Sequence, residues 1–527
     1  MNATRWLLVL ASLLLACDAV PRAVAPAHLS PPPAASSPTS SAATPAVHEE
    51  RVPAGRLQYR FRASRFSNLF YTVDCLAGTV QCGRDAFDEL ARTDLGGLDD
   101  GDRRALDEWK QLRRAYRGRV QKADEPASPL PLPRAHAQIE RRVRLAGYTA
   151  TDLDQYTALV SMFLDLEDAR RAHDILARFA PRFDRYWSTR AERALASRVE
   201  SFAAAVRAPE LRALVDQIAG FYGPELPPGL ELTFDLILRP PGKHSNAEQI
   251  AHISVIEVEA DEPPARSLDV VLHELFHYLL SQVAPDRLVA QMDRFARDPD
   301  PIAYAAQGAL DEGLASALGN GLVLRTLDRA EFDRRRVRPL GMYADDVIDR
   351  MAKAAIGPLE PLLARGDTRV TDPAFEATWV RIAHDAFPAG PPPQALVRPF
   401  VGVYPSEFES AVNEIYDLMR VSHSDTHATL DPDATREMFA SHPRWTRVLF
   451  LRPSDLPGLD RWAHVVAPTI VREVRVLARQ KPAFVYAAAA SGQPTVFVFV
   501  APDSERLKLL LGRFAAVPVM RPGLVVD

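Results

Sequence analysis

Two different spacings of apolar residues divide this chain. From about residue 56 to 225, apolar residues recur three and four positions apart with charged residues between them, as in DRRALDEWKQLRRAY. This is the spacing of amphipathic helices. Near residue 228 the pattern changes to alternation in GLELTFDLILRP and to β-branched residues in IAHISVIEVEA, which predicts two strands. The segment PPGKHSNAEQ between them has the composition of a turn.

A strongly apolar helix is predicted directly after these strands. In SLDVVLHELFHYLLSQV, residues 267–283, apolar residues occupy nearly every face of a helix over 268–280, so we expect it to be buried. Ser267 is suited to cap the N-terminus of this helix, and Asp269 would lie in the first turn. The next predicted helix, in PIAYAAQGALDEGLASALGNGL, ends at the GNG sequence of residues 319–321.

The last part of the chain is predicted to form a small α/β unit. Residues 325–440 again have helical spacing, interrupted by proline-rich segments such as FPAGPPPQ. Beyond them, TRVLFL, PAFVYAAAA and TVFVFVA are typical of strands, while GLDRWAHVVAPTIVREVRVLARQ and DSERLKLLLGRF have helical spacing. The fold class expected for the whole chain is therefore α+β and mainly helical.

The N-terminal sequence bears on the compartment in which the protein functions. In MNATRWLLVLASLLLACDAV, an apolar stretch too short to span a bilayer comfortably follows one early arginine, as in a secretory signal. Its LLAC end resembles the lipobox of bacterial lipoproteins, with Cys17 as the residue to be lipidated. The alternative is an ordinary signal peptide cleaved near residues 23–25. Residues 18–55 are rich in proline, alanine, serine and threonine, and they predict a flexible tether.

The charge balance and the cysteine content restrict the class of binding partner and the cross-links that we expect. The 527 residues include 63 basic and 68 acidic side chains, for a formal net charge of −5, and this balance argues against a nucleic-acid partner. Of the three cysteines, Cys17 is assigned to the lipid anchor. Cys75 and Cys82 remain, and in an exported chain we expect a disulfide between them. Free thiols or metal ligands are the alternatives.

Two histidines and a glutamate interrupt the apolar helix. His273 and His277 are four residues apart, so they project from one helix face and can together hold a single Zn²⁺. Glu274 lies beside them, placed to reach a metal-bound water without binding the metal. Left unpaired in a buried helix, such groups would cost several kcal/mol. The alternative is a pair of core histidines satisfied by backbone carbonyls, with Glu274 in an ion pair.

A catalytic zinc ion needs a third protein ligand and one open position. Glu312, in ALDEGLASALG on the next predicted helix, is the candidate, and the small residues after it allow close helix approach. Its neighbour Asp311 could accept a hydrogen bond from a ligand histidine. The alternative for Glu312 is an ordinary acidic residue in a first helical turn. After His277 the chain continues YLLSQV, without the glycine and third histidine of the HExxHxxGxxH pattern.

The segment from about residue 230 to 322 resembles the catalytic core of the thermolysin-like (gluzincin) zinc metallopeptidases. HELFH and the glutamate followed by GLA carry this resemblance, which covers under a fifth of the chain. It implies that His273, His277 and Glu312 are the zinc ligands. It also implies that Glu274 is the general base and proton shuttle. The strand IAHISVIEV would be the sheet edge that binds substrate as an added strand.

The resemblance also implies a further hydrogen-bond donor for the oxyanion, typically a tyrosine or histidine further along the chain. Tyr343, His384 and Tyr404 are candidates. Tyr343 is favoured because it lies nearest after the predicted third-ligand helix. The implied mechanism is hydrolysis of a peptide bond by a zinc-activated water from which Glu274 removes a proton.

These predictions combine into one organisation of the chain. A signal peptide with its lipobox cysteine spans 1–17, the tether 18–55, a helical domain 56–225, a zincin-like metallopeptidase domain 226–440 and the α/β unit 441–527. The zincin-like core would comprise a small sheet, the active-site helix and the third-ligand helix.

The function expected from this organisation is that of a lipid-anchored zinc metallopeptidase acting on a peptide or protein substrate. It would be an exported bacterial lipoprotein, on the periplasmic side of a membrane or at the cell surface. The alternative function is a non-catalytic metal-binding or scaffold lipoprotein of the envelope that binds a partner.

Overall fold

The structure is a computed structural model. It describes residues 47–54, 57–116, 138–226, 231–241, 246–298, 300–419, 421, 423–488, 494–521 and 523–527. The predicted signal peptide with Cys17, and the predicted tether up to residue 46, lie outside these residues. The described chain is mixed α/β and mainly helical, with two small sheets, which confirms the broad fold class expected from the sequence. Among the described helices, none is both long and apolar enough to cross a membrane.

The first sheet has five strands in the order β1-β2-β3-β5-β4. The strands are β1 Val47–Ala54, β2 Leu57–Ser64, β3 Glu231–Leu238, β4 Ala247–Ile250 and β5 Ile253–Val258. The three central strands β2, β3 and β5 are parallel, whereas β1 and β4 pair antiparallel at the two edges. Strands β3 and β5 are the two predicted from the sequence, and both are buried along nearly their whole length, as expected for parallel strands covered on both faces.

Strands β1 and β2 lie in segments predicted as tether and helix. β2 pairs with β3, which follows more than 160 residues later, and Arg62 on β2 stands directly opposite Asp235 on β3. The buried Arg62 guanidinium contacts the Asp235 carboxylate at 2.5 Å. Because these partners are distant in sequence, the local apolar spacing around residue 60 does not show that the segment belongs in a sheet.

The edge of this sheet differs from the sequence-based expectation. β5 was expected to be the substrate-binding edge, but it lies between β3 and β4. The edge strand is β4, whose first three residues lie in the segment predicted as a turn. β4 forms a hairpin with β5 in which Ile250 opposes Ile253, so the two-residue turn is Ala251 and His252. Residues 247–249 are extended because they pair with β5, and the composition of the segment does not reveal this pairing.

Helices fill most of the remaining described chain. In the N-terminal half they are α1 Arg65–Ala77, α2 Arg84–Thr93, α3 Asp100–Ala115, α4 Ile139–Thr149, α5 Leu153–Val160, α6 Leu166–Tyr186, α7 Glu192–Arg207 and α8 Pro209–Tyr222. In the middle are α9 Pro264–Ser281, α10 Pro285–Arg297, α11 Pro301–Gly308, α12 Leu310–Ser316, α13 Leu324–Leu327, α14 Arg329–Val337, α15 Asp346–Arg365 and α16 Pro373–Ala386. The C-terminal helices are α17 Pro393–Leu396, α18 Glu409–Met419, α19 Arg436–Ser441, α20 Pro468–Ala478 and α21 Ser504–Ala515.

The predicted disulfide is present between Cys75, in α1, and Cys82. It closes the loop that leads from α1 to α2. The neighbouring Asp74 is fully buried and accepts a hydrogen bond from Trp109 Nε1 at 2.7 Å. Asp74 also pairs with Arg113. Since Trp109 and Arg113 both lie on α3, this carboxylate fastens α1 to α3.

The second sheet has six strands in the order β11-β9-β10-β8-β6-β7. The strands are β6 Pro399–Val403, β7 His423–His427, β8 Thr446–Leu451, β9 Phe484–Ala488, β10 Val496–Val500 and β11 Leu524–Val526. The three predicted strands are β8, β9 and β10. The sheet also takes β6 and β7 from the segment before residue 441, so it begins about 40 residues earlier than the predicted α/β unit. The described residues form one compact unit.

Candidate metal centre

Helix α9 carries the HELFH sequence through the middle of the fold. It begins at Pro264, because proline has no backbone N–H to lose at a helix start and its φ angle is already helical. The predicted N-cap, Ser267, therefore lies inside the helix, and its hydroxyl donates a hydrogen bond to Glu262 Oε2 at 2.7 Å instead. The apolar residues of α9, such as Leu272 and Phe276, are fully buried. The sequence-based expectation of a buried helix is confirmed.

The helix that carries Glu312 does not end at residues 319–321, as the sequence predicted. Helix α12 continues into a π-helical turn, Ala317–Val323, and then into α13. Gly319 faces α9, and a Cβ atom added to it would lie only 2.8 Å from the Cα of His273. The glycine thus allows the two helices to approach closely and does not terminate one of them. Asn320 beside it donates a hydrogen bond to Asp269 Oδ2 on α9 at 3.2 Å.

This close packing brings three potential ligand atoms together. His273 Nε2 and His277 Nε2 lie 3.0 Å apart. Glu312 Oε2 lies 3.6 Å from His273 Nε2 and 3.5 Å from His277 Nε2. Zinc–nitrogen bonds of about 2.0–2.1 Å in a tetrahedron place donor atoms about 3.3 Å apart. The three distances therefore match one face of a tetrahedral zinc site.

The fourth residue of the cluster is Glu274. One ligand atom from each of His273, Glu274 and His277 lies within 4.8 Å of the other two. Glu312 Oε2 is buried, and although it lies within ion-pair distance of both imidazoles, it accepts no hydrogen bond of normal length from the described residues. A buried carboxylate oxygen requires a partner, and a divalent cation between the three donor atoms would supply it. The residues present therefore fit a metal ion.

Asp311 holds the ring of His277 in position. Its Oδ1 lies 2.6 Å from His277 Nδ1, which leaves Nε2 facing His273 and Glu312. A carboxylate on the far nitrogen fixes both the tautomer and the orientation of a ligand histidine. The structure thus places Asp311 where the sequence predicted an outer hydrogen-bond acceptor.

The two glutamates of the cluster have opposite electrostatic environments. Burial raises the pKa of Glu274, and the two nearby histidines offset part of this effect. Burial also acts to raise the pKa of Glu312, but contact with both imidazoles holds it well below its usual range. Burial lowers the pKa of His277, yet the carboxylates of Asp311 and Glu312 hold it well above its usual value. Glu312 is suited to be an anionic ligand and Glu274 to accept a proton.

Among the three candidate donors, the structure brings Tyr343 to the cluster. Its ring stacks on that of His273, with centroids 5.9 Å apart and planes 15° apart. The segment before α15 that carries Tyr343 is held by Asp349, whose Oδ1 accepts a hydrogen bond from the Met342 backbone N–H at 2.7 Å. The other two candidates have different surroundings. His384 Nε2 lies 2.6 Å from Asp300 Oδ2, and Tyr404 continues from β6 in the second sheet.

A cavity of about 560 Å³ opens beside His277, Asp311 and Glu312. Sequence reasoning did not identify its walls. Apart from these three residues, the lining residues are Leu280, Ser281, Leu288, Gln291, Met292, Phe295, Gln307, Gly308, Leu310, Arg398, Pro399, Val421 and Trp445. They come from α9 to α12, from Pro399 at the start of β6, and from segments that flank the strands of the second sheet. No local pattern could have grouped them, because they are spread over more than 160 residues of the chain.

No family model matches the chain, no curated protein matches it, and no solved structure matches it.

Proposed function

We propose that this protein is a zinc-dependent metallopeptidase with a zincin-like core. His273, His277 and Glu312 would hold the zinc ion. The observation that carries the proposal is the spacing of their three donor atoms, 3.0 to 3.6 Å apart, which suits tetrahedral zinc with one remaining position. The third donor comes from a second helix, as the thermolysin-like pattern requires.

Glu274 would act as the general base. It lies on the same helix as two of the ligands, and its increased proton affinity suits a group that takes up a proton and passes it on. In peptide hydrolysis it would accept a proton from the attacking water and deliver it to the leaving amine. The bound zinc would supply Lewis-acid polarisation at the reacting centre. Tyr343, stacked on His273, is the candidate donor to the developing oxyanion.

Edge strand β4 would bind the substrate main chain. It packs against α9, and its pairing with β5 leaves its other edge without a strand among the described residues. The Glu257 N–H donates to the Asn246 carbonyl at 3.0 Å. Because bonded and non-bonded pairs alternate in antiparallel sheets, the main-chain groups of Ala247 and Gln249 point away from β5. An extended peptide could pair with them as an additional strand.

The proposed cellular setting rests on the N-terminal sequence. Cleavage before Cys17 and lipidation of that cysteine would anchor the protein to a bacterial membrane after export. The disulfide between Cys75 and Cys82 is in keeping with an oxidising compartment. Proteins or peptides of the cell envelope would then be the accessible substrates.

The first test of this proposal is the metal content of the full-length chain, measured by elemental mass spectrometry. We expect about one zinc per chain, since three protein ligands are available, and loss of that zinc in His277→Ala. His384→Ala is the matched control, because His384 pairs with Asp300 outside the cluster. It should retain the metal. Folded protein that binds no zinc under these conditions would refute the metal centre.

The second test is cleavage of casein by the zinc-loaded protein. Glu274→Gln should retain zinc and fold but lose activity by about 10²–10⁴-fold, since it removes the general base and keeps the ligands. Circular dichroism and zinc content would verify that the variant is intact. If the wild-type protein binds zinc and cleaves neither casein nor a peptide library, the non-catalytic alternative replaces the peptidase.

A further inference from the structure

The segment between α14 and α15 combines basic and apolar residues at the surface. Residues 334–342, RRRVRPLGM, include four arginines and no acidic residue. Val337, the last residue of α14, is 78% exposed, and Leu340 is 46% exposed. A single exposed apolar side chain needs no explanation, but two beside each other among arginines form a surface with a distinct chemistry. Residues 336–340 are exposed throughout, and we call them the basic turn.

The backbone of the basic turn follows from Pro339 and from a tight contact at Gly341. Proline disfavours helical backbone in the residue before it, and Arg338 has a φ of −80° and a ψ of 134°, so α14 ends there. Leu340 has a positive φ of 53°, which L side chains rarely adopt. A Cβ atom on Gly341 would lie only 2.0 Å from the carbonyl oxygen of Arg335. The chain therefore turns sharply and leaves the Leu340 side chain at the surface.

Two side chains of α15 hold this turn from the inside. Asp349 is buried, and its carboxylate accepts hydrogen bonds from the Leu340 N–H at 3.2 Å and the Met342 N–H at 2.7 Å. Lys353 donates to the Arg338 carbonyl at 2.5 Å and to Asp349 Oδ2 at 2.6 Å. Because the backbone is fixed at these points, the exposed side chains are held in one arrangement before any partner arrives.

The arginines of the basic turn are available to an external anion. Arg336 and Arg338 are exposed, and neither pairs with a carboxylate among the described residues. The acidic residues within seven positions of the turn already have basic partners, and they are Glu331, Asp333, Asp345 and Asp346. The positive charge of the turn is therefore not neutralised by its own neighbours.

We propose that the basic turn docks onto the surface of an anionic lipid bilayer. Arg336 and Arg338 would contact lipid phosphates, and Val337 and Leu340 would enter the apolar layer directly beneath them. A bilayer offers both kinds of contact at one surface, which matches both kinds of side chain, whereas a free phosphate would satisfy only the arginines. A basic patch also complements a lipid chain such as the one proposed at Cys17, since stable membrane attachment generally needs two such signals.

Docking would also orient the proposed metal centre. Tyr343 follows the basic turn by three residues, and its ring stacks on that of His273. Asp349, which binds the backbone of the turn, also accepts a hydrogen bond from the Tyr343 N–H at 3.3 Å. A short, fixed segment thus joins the docking surface to the metal centre, so peptides at the membrane surface would be accessible substrates. This consequence rests on the proposed function, but the docking itself does not.

A fluorescent probe on the basic turn tests the proposal without requiring catalysis. The mature exported chain would carry Val337→Cys labelled with nitrobenzoxadiazole, whose emission shifts to the blue when it leaves water. We expect a blue shift with vesicles of phosphatidylglycerol and phosphatidylcholine, and a far smaller one with phosphatidylcholine alone. The probe reports the turn whether or not Cys17 carries lipid. Leu166→Cys is the matched control, because Leu166 is 65% exposed but lies between Asp165 and Glu167, and its probe should not shift.

Two variants separate the contributions of charge and apolar surface. Arg336→Glu with Arg338→Glu should lower the ratio of shifted to unshifted probe at least about ten-fold, since an anionic surface would repel the new carboxylates. Arg472→Glu with Arg479→Glu makes the same change of charge at exposed positions of α20 and should leave the ratio unchanged. Leu340→Gly should lower the ratio about five-fold by removing apolar surface. Its free energy of unfolding in urea should not fall, because glycine readily adopts the positive φ.

The outcomes of this experiment are independent of the casein test. A blue shift at residue 337 that requires phosphatidylglycerol, is lost with Arg336→Glu and Arg338→Glu, and is absent at residue 166 would support docking of the basic turn. Equal shifts at residues 337 and 166, or no shift with either kind of vesicle, would overturn it. An equal shift with phosphatidylcholine alone would also overturn it, because the charge of the turn carries the choice of an anionic bilayer.

Discussion

At the scale of single residues, the site depends on Gly319 as much as on its ligands. The two helices that carry the ligands meet at this glycine, and a Cβ atom there would lie 2.8 Å from His273 Cα and 2.9 Å from the carbonyl oxygen of Asp269. Both of these are backbone atoms, so neither can move away by a side-chain rotation. The spacing between His273 and Glu312 is therefore set by a residue that binds nothing itself.

We expect Gly319→Ala to destabilise the protein by about 1–3 kcal/mol, the usual cost of overpacking a core, and to weaken zinc binding. The free energy of unfolding would be measured in urea, and zinc affinity by competition with a chelator. Gly512→Ala is the control. Gly512 lies exposed within α21 and has no atoms within 4 Å of an added Cβ, so this variant should gain about 0.5–1 kcal/mol. Equal stability of Gly319→Ala and wild-type protein would contradict the close-packing argument.

At the scale of elements, the hairpin of β4 and β5 forms the proposed substrate edge. Its turn contains Ala251, which has a positive φ of 53°, and His252, whose carbonyl accepts a hydrogen bond from the Thr233 N–H at 2.9 Å. Burial lowers the pKa of His252 below its usual 6.5, and the positive charge of Arg62 lowers it further. The folded hairpin therefore favours the neutral imidazole.

This environment predicts a specific acid sensitivity. In the unfolded chain His252 titrates near 6.5, whereas in the folded state its pKa is lower. The unfolded state then binds more protons below about pH 6.5, and the free energy of unfolding falls as the pH falls. His252→Gln should reduce this fall. Urea unfolding of both proteins at about pH 7.5 and about pH 5.5 would measure it. A stability difference between them that does not change with pH would contradict the prediction.

At the scale of the whole molecule, a metal ion would link two helices that lie far apart in the sequence. Its ligands occupy α9 and α12, and Asp269 and Asn320 connect the same two helices by a hydrogen bond. Because the complete ligand set exists only in the folded chain, zinc should bind the folded state and raise its stability.

We expect saturating zinc at 100 times its dissociation constant to raise the free energy of unfolding by about 2.7 kcal/mol over the chelator-treated protein. Glu312→Gln should lose most of this increment. Glu360→Gln, which changes a carboxylate paired with Arg325 outside the site, should retain it. Equal increments in both variants would show that Glu312 is not a ligand. Thermal or urea unfolding with and without zinc would measure the increments.

Several features of this protein followed from the sequence by itself. The spacing of His273 and His277 placed both rings on one face of a helix, because helical geometry is local and repeats every 3.6 residues. The apolar residues around them predicted the burial of α9. The disulfide was predicted because Cys75 and Cys82 are the two cysteines that remain in a chain expected to be exported. Alternation and β-branched residues likewise predicted β3 and β5. Each of these features depends on residues close together in the chain.

Other features were decided only by the tertiary structure. Which strand forms the edge depends on pairing between β4 and β5, and the place of β2 depends on a partner more than 160 residues away. The sequence GNG at residues 319–321 has the composition of a helix end, but Gly319 serves close packing against α9. The cavity is lined by residues of α9 to α12 together with Pro399 and Trp445, which lie at β6 and just before β8. The spacing of apolar residues within a segment reflects the secondary structure of that segment. It does not indicate which distant segment will pack against it, because contacts between distant segments produce no regular spacing in the sequence.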